Sequence, residues 1–226
     1  MKELETKIIQ KLHQHSASEA TLHVPEDIRQ ITLRRFEDFE QLALREKYPN
    51  IYLESTPAGK KINHGTQIQG LFPELDQLVE TEPMEKIAME LFKPKNISKD
   101  QEIFVRNPGG RSIIPHQDYI YERKHKNHRT LSLNIKLNPI NYREGHMSYH
   151  SVKQGTKLKH IFNASKWEWK LFSLDAQHKR MHELEDPAIH AIWHTSFSAH
   201  KARIPVKGNK RGVFIRYIVN CYDSTN

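Results

Sequence analysis

Two histidines and one aspartate in the second half of the chain have the residue types and spacing of a metal site. His116 and Asp118 are two positions apart, so on an extended segment their side chains point to the same face. A third candidate, His200, follows later in the chain. Two imidazoles and one carboxylate on one face leave coordination positions open, which is the ligand set of non-haem Fe(II) centres. The three residues therefore predict an iron site.

Arginine residues after His200 offer a cation for an acidic co-substrate. If an iron site of this kind takes 2-oxoglutarate, the distal carboxylate of that molecule needs a fixed cation, and a guanidinium matches it with two hydrogen bonds. Arg211 follows a turn at residues 205–209 and is expected at the start of the next strand, beside His200. Arg216 lies inside that strand and is the competitor, with a structural salt bridge as its simpler explanation. The sequence favours Arg211 and leaves the choice open.

Aromatic residues near these positions are candidates for the wall of a substrate pocket. Tyr119 and Tyr121 follow Asp118 closely, and Trp193 precedes His200. Aromatic side chains pack more often in a core than against a ligand. Packing is therefore the alternative interpretation for each of the three.

The elements that must position these residues change character halfway along the chain. A helix is predicted behind Pro25, with an acidic first turn and apolar residues near a 3.6-residue period, ending around Tyr48. A shorter helix follows Pro83 and stops at Pro94. The first hundred residues are thus expected to be mainly helical.

The second half is predicted to form strands. Residues 130–137 alternate polar and apolar side chains, and residues 213–219 are β-branched and aromatic with one charge inside. Shorter strands are expected at residues 101–105 and 188–193. Helices followed by turn-connected strands predict an α+β fold with a mainly β core, as an antiparallel sandwich or barrel. No linker is evident, so we expect one domain over residues 1–226, with a helical flank (1–100) and a core (101–220).

The amino-acid composition restricts the cellular location and the binding partners that can be expected. Lysine and arginine number 35 and aspartate and glutamate 27, which gives a formal charge of +8. The single cysteine, Cys221, excludes an intrachain disulfide and a cysteine-based zinc site. No apolar run approaches the roughly 18 residues of a membrane helix, and the N-terminus lacks a signal-peptide pattern. A cytoplasmic protein is therefore expected. The basic stretch 123–129, close to the His-x-Asp pair, favours an anionic small-molecule substrate.

The order of these motifs resembles the phytanoyl-CoA dioxygenase family, within the Fe(II)- and 2-oxoglutarate-dependent oxygenases. The resemblance covers about residues 104–219 and rests on His116-Gln117-Asp118-Tyr119, the strand at 130–137, the segment 144–155, His200 and Arg211. It implies a double-stranded β-helix (a jelly-roll, or cupin-like, core) with the N-terminal helices packed outside. It also implies Fe(II) on His116, Asp118 and His200, and 2-oxoglutarate on Arg211, with Asn134 as a second contact.

The resemblance implies a dioxygenase that uses O₂ and 2-oxoglutarate, hydroxylates a small molecule, and releases succinate and CO₂. Related halogenases replace the carboxylate ligand by a small residue, so Asp118 favours hydroxylation over halogenation. The sequence departs from the family where Tyr149-His150-Ser151 stands in place of a usual Pro-Gly-Ser-His segment. This departure concerns the substrate class more than the metal site.

The sequence also leaves alternatives to a dioxygenase open. A basic nucleic-acid-associated protein would bind DNA or RNA in a salt-dependent way, but no nucleic-acid-binding motif is present, so nucleic acid is not the expected partner. An oxygenase-like fold used only for binding is a further alternative, and so is a rival metal set of His190, His194 and His200. A monomer or a homodimer is expected.

Overall fold

A computed structural model describes residues 2–20, 22–46, 48–80, 83–122, 128–138, 147–164, 168–172, 191–202, 204–205 and 207–221. The described helices are α1 (Lys2–His15), α2 (Glu26–Arg45), α3 (Pro73–Val79), α4 (Met84–Phe92) and α5 (Tyr119–Glu122). Among them, none is both long enough and apolar enough to cross a lipid bilayer.

Twelve strands lie within the described residues. They are β1 (Ala17–Glu19), β2 (Ile51–Thr56), β3 (Gly59–Gly65), β4 (Pro94–Arg106), β5 (Ile113–Gln117), β6 (His128–Lys136), β7 (Met147–His150), β8 (His160–Asn163), β9 (Glu168–Leu171), β10 (Ala191–Thr195), β11 (Ala199–Ala202) and β12 (Lys210–Cys221). Seven form one sheet in the order β1-β10-β6-β12-β4-β3-β2, three form a second in the order β5-β11-β7, and β8 pairs with β9. All of the pairs are antiparallel.

One face of the seven-stranded sheet is covered by the N-terminal helices. Leu131, Leu133 and Ile135 occupy alternate positions of β6, and all three belong to the large buried cluster that includes Phe36 of α2 and Ile87 of α4. Successive side chains of a strand point to opposite faces. The odd-numbered positions of β6 therefore face the helices, and the even-numbered positions face the other way.

The opposite face of this sheet packs against the three-stranded sheet. Phe104 of β4 and Ile192 of β10 form a buried cluster with Met147 and Tyr149 of β7. Two facing antiparallel sheets with helices outside make a jelly-roll core. This confirms the predicted α+β class with a mainly β core.

The predicted elements are present, but the first hundred residues contain more strand than the sequence predicts. The helix behind Pro25 is α2, the helix behind Pro83 is α4, and the two long predicted strands are β6 and β12. The hairpin β2–β3 is the difference, and β3 pairs with β4 at the edge of the large sheet. Most of its positions are exposed or half-buried, so its sequence lacks the apolar alternation that marks a strand.

Arg211, at the start of β12, faces the helices. Its guanidinium donates through Nε and one terminal nitrogen to Glu40 Oε2 of α2, at 3.0 and 2.8 Å. The other terminal nitrogen lies 3.3 Å from Glu37 Oε1, and the group sits over the ring of Phe36. Glu40 is only 8% exposed. This ion pair therefore fastens α2 to the large sheet.

We predict that Arg211→Met lowers the free energy of unfolding by about 2 kcal/mol, because it leaves the buried Glu40 carboxylate without its cation. Urea denaturation measures the change. The double variant Arg211→Met/Glu40→Gln should recover part of the loss, since it removes the unpaired charge. Equal stability of wild type and Arg211→Met would contradict this structural role.

Candidate metal site

The two histidines and the aspartate of the predicted site meet between the two sheets. His116 of β5 and His200 of β11 are directly opposite each other in an antiparallel pair, and Asp118 follows β5 by one residue. Asp118 Oδ1 lies 3.3 Å from His116 Nε2 and 3.5 Å from His200 Nε2. One donor atom from each residue lies within 4.8 Å of the others. The structure thus brings three metal-binding donors to one point.

Both imidazoles are oriented by backbone carbonyl groups. His116 Nδ1 is 2.8 Å from the Ile114 oxygen, and His200 Nδ1 is 3.1 Å from the Ser198 oxygen. A carbonyl oxygen only accepts, so each Nδ1 donates to it and each Nε2 faces Asp118. A hydrogen bond of this kind on the far nitrogen is what fixes metal-binding histidines.

The protonation states at neutral pH also suit a metal site. Burial is the main cause that lowers the pKa of His200 to about 4, so its ring is neutral. Burial opposes the charged form of Asp118. At the low pH where this carboxyl titrates, protonated His200, Arg216 and the contact with His116 outweigh burial and hold the pKa of the carboxyl well below its usual value. A neutral imidazole and an ionised carboxylate are the forms that bind a metal ion.

Arg216 lies beside this group. One terminal nitrogen of its guanidinium is 3.3 Å from Asp118 Oδ2, and its Nε is 3.1 Å from Glu102 Oε2 of β4. Glu102 also lies 3.3 Å from His64 Nε2 of β3. Burial disfavours the charged form of Glu102, but Arg216 and His64 outweigh it and lower the pKa of its carboxyl. Arg216 is therefore a cation that two buried carboxylates hold at the metal group.

Gln117, between two of the predicted ligands, ties the site to its surroundings. Its side chain donates to the carbonyl oxygens of Thr156 and Phe197 and accepts from the Leu158 N–H. Its own N–H donates to His160 Nε2 at 3.1 Å. These bonds connect β5 with the segment before β8 and with the turn before His200. Neither Gln117 nor His160 is predicted from the sequence as a positioning residue.

A cavity of about 850 Å³ opens onto the three donors. The hairpin β2–β3 forms one wall, with Tyr52, Glu54 and His64. Arg106 and Arg216 also line the cavity. Its apolar lining includes Leu53, Phe104, Ile113, Ile114 and Met147.

The predicted substrate-binding aromatic residues occupy different places. Tyr121 lines the cavity and its ring packs edge-on against His116, with centroids 5.6 Å apart. Tyr119 instead stacks on Phe197 and donates from its hydroxyl to the Leu158 oxygen. Trp193 is fully buried in the cluster under the helices. Trp193 is at an odd-numbered position of β10, and this face of the strand points away from the cavity.

Asn134 and Arg211, the predicted co-substrate contacts, also differ in position. Asn134 lies on the inner face of β6, where its Nδ2 donates to the Tyr149 hydroxyl at 3.0 Å, and the Tyr149 ring lies 6.0 Å from that of His200. Arg211 does not line the cavity, which departs from the sequence prediction. It is five positions from Arg216 along β12, and an odd separation places the two side chains on opposite faces of the sheet.

The rival metal set includes His190, which lies outside the described residues, so the structure describes only its other two members. His194 is buried with its ring 5.6 Å from that of His200, but the metal-competent group consists of His116, Asp118 and His200. His190 and most of the basic stretch 123–129 lie outside the described residues.

Comparison with solved structures identifies the fold. EvdO2 from Micromonospora carbonacea var. aurantiaca is 12% identical, with a TM-score of 0.66 over 97% of this chain and 93% of its own, and it has also been solved in complex with 2-oxoglutarate. The non-haem α-ketoglutarate-dependent carbocyclase SnoK from nogalamycin biosynthesis is 14% identical, with a TM-score of 0.59 over 94% and 83%. The epimerase SnoN, in complex with Fe³⁺, α-ketoglutarate and nogalamycin RO, is 10% identical, with a TM-score of 0.63 over 97% and 85%.

These similarities show that the chain has the fold of non-haem iron and 2-oxoglutarate-dependent oxygenases. No protein-family model matches the sequence, and no curated protein matches it. The resemblance to the phytanoyl-CoA dioxygenase family in particular therefore stays a prediction.

We predict that the metal-free protein loses stability as the pH falls below about 6.5, partly because of His194. Burial is the main cause that lowers the pKa of His194 to about 3, whereas the same residue in the unfolded chain binds a proton below about 6.5. The unfolded state thus binds more protons, and the free energy of unfolding falls with decreasing pH. His194→Gln should reduce this slope by up to about 1.4 kcal/mol per pH unit.

Urea denaturation between pH 6 and pH 4.5, in the presence of a chelator, measures the two slopes. His23→Gln changes an exposed histidine and serves as the control for the substitution of one histidine by glutamine. Equal slopes for wild type and His194→Gln would contradict the burial of a neutral imidazole.

Proposed function

We propose that this protein is an Fe(II)- and 2-oxoglutarate-dependent oxygenase that hydroxylates a small molecule and releases succinate and CO₂. The observation that carries the proposal is the convergence of His116, Asp118 and His200 at a cavity. The similarity of the fold to non-haem iron oxygenases supports it.

The residues of the site fit an iron ion. Two Nε2 atoms and one carboxylate oxygen form a three-donor face, and the cavity in front of it leaves room for further ligands. This is the ligand set of Fe(II) oxygenase centres. His116, Asp118 and His200 would hold the metal. Asp118 also brings the negative charge that compensates part of the charge of a divalent cation.

The cavity also fits a dicarboxylic co-substrate. We propose that Arg216, rather than Arg211, binds the distal carboxylate of 2-oxoglutarate, because Arg216 lines the cavity and Arg211 does not. A guanidinium binds a carboxylate with two parallel hydrogen bonds. Asn134 acts as a positioning residue through Tyr149, whose ring packs near His200.

When bound, iron and 2-oxoglutarate supply the oxidising chemistry with O₂. The chain supplies the rest. Asp118 and the two histidines would hold one face of the metal, and Arg216 would orient the co-substrate. Phe104, Ile113 and Met147 exclude water from part of the cavity. With the Asp118 carboxylate as a ligand, no position would be left by a missing carboxylate for a halide, which favours hydroxylation over halogenation.

We predict that Fe(II) and 2-oxoglutarate, added together to the metal-free protein without oxygen, produce a weak metal-to-ligand charge-transfer band in visible light. His116→Ala should abolish the band, because it removes a ligand. Arg216→Lys should retain it but raise the dissociation constant of 2-oxoglutarate about tenfold, since an ammonium does not make the two parallel bonds. Titration of the band with 2-oxoglutarate measures the constant.

Arg211→Lys is the matched control. It makes the same change in side chain on the helix-covered face, so it should leave the dissociation constant of 2-oxoglutarate at the wild-type value. Absence of the band in folded, metal-saturated wild type would contradict the proposed function. An effect of Arg211→Lys with none of Arg216→Lys would contradict the assignment of Arg216.

A further inference from the structure

Arg106, at the end of β4, is a buried cation that the proposed reaction does not use. Its side chain lines the cavity, although the residue is only 5% exposed. Its Nε is buried and has no hydrogen-bond partner among the described residues. One terminal nitrogen makes a long contact of 3.4 Å with the Val105 oxygen, and the guanidinium lies over the Phe104 ring.

The carboxylate that acts on Arg106 electrostatically makes its hydrogen bonds elsewhere. Glu54 of β2 acts on it electrostatically, while burial lowers its pKa to about 10 and so leaves it protonated at neutral pH. Both oxygens of Glu54 are already engaged. Oε1 accepts from Asn107 Nδ2 and Oε2 accepts from the Arg111 N–H, each at 2.8 Å. These bonds hold the Glu54 carboxylate at the turn after β4, and among the described residues it makes no hydrogen bond or ion pair with Arg106.

Arg106 and Arg216 lie at different positions along the cavity. Arg106 pairs with Lys210 of β12, whereas Arg216 of the same strand pairs with Asp100 of β4. Six residues of strand therefore separate the two arginines, which is about 20 Å along the backbone. Arg216 borders the metal group and Arg106 stands toward the other end. A five-carbon chain anchored at the metal is shorter than this separation.

We propose that Arg106 binds an oxyanion of the substrate, a carboxylate or a phosphate, and so orients the substrate toward the metal group. A buried guanidinium with an unpaired nitrogen is costly unless an anion completes its bonds. Arg111 lines the same cavity and adds a further positive charge. The inference rests on the proposed function for the reaction, but the anion site itself is independent of metal.

The test compares two ligands of similar shape, benzoate and benzamide, by isothermal titration without oxygen. The protein is saturated with Fe(II) and 2-oxoglutarate, so the co-substrate position is occupied. We expect benzoate to bind wild type at least tenfold more tightly than benzamide, as a charge-assisted pair of hydrogen bonds provides. Arg106→Met should remove this preference.

Arg45→Met is the matched control, because it removes the same charge from an exposed position of α2. It should keep the tenfold preference. Arg106→Lys keeps a charge but not the planar fork, and should reduce the preference about threefold. This second variant keeps the test available if Arg106→Met does not fold.

Two results would overturn the inference. One is equal binding of benzoate and benzamide to wild type, or an unchanged preference in folded Arg106→Met. The other is a rise in the dissociation constant of 2-oxoglutarate in Arg106→Met, which would make Arg106 the co-substrate residue. If wild type binds no iron, the proposed function fails, and the same titration of the metal-free protein still decides whether Arg106 is an anion site.

Discussion

The carboxylate of Asp118 is the interaction on which the rest of the site depends. It is buried between two sheets, and two imidazoles and one guanidinium approach its oxygens. A buried anion is costly without such partners, so the pairing of β5 with β11 and the inward position of Arg216 are needed together. A divalent metal ion would join this cluster at the point where the two histidine Nε2 atoms already face the carboxylate.

Because side chains alternate along its strands, the large sheet has stabilising contacts on one face and residues of the proposed site on the other. The face under the helices holds the apolar core and the ion pair of Arg211 with Glu40, which fastens α2. The inner face holds Arg216, Glu102 and Arg106, and it faces the three-stranded sheet that carries His116 and His200. The hairpin β2–β3 extends this sheet and closes one side of the cavity. The same sheet thus carries stabilising contacts on one face and residues of the cavity on the other.

The sequence predicts the metal group because residues two apart on a strand share a face. It predicts β6 from the alternation of polar and apolar side chains, and β12 from its β-branched and aromatic residues. It does not predict the hairpin β2–β3, whose residues are mostly exposed. The choice of Arg211 relied on its spacing from His200. The strand is apolar around both arginines, so the sequence does not indicate which of the two faces the cavity. No sequence pattern indicates Gln117 and His160, because these residues act through contacts with the backbone.

A crystal of the protein grown without oxygen and loaded with Fe(II) and 2-oxoglutarate, measured at the iron absorption edge, tests the central claim most directly. The account predicts one iron ion within bonding distance of His116, Asp118 and His200, with the distal carboxylate of 2-oxoglutarate on Arg216. Iron bound by other residues, or no iron in the cavity, would contradict the account.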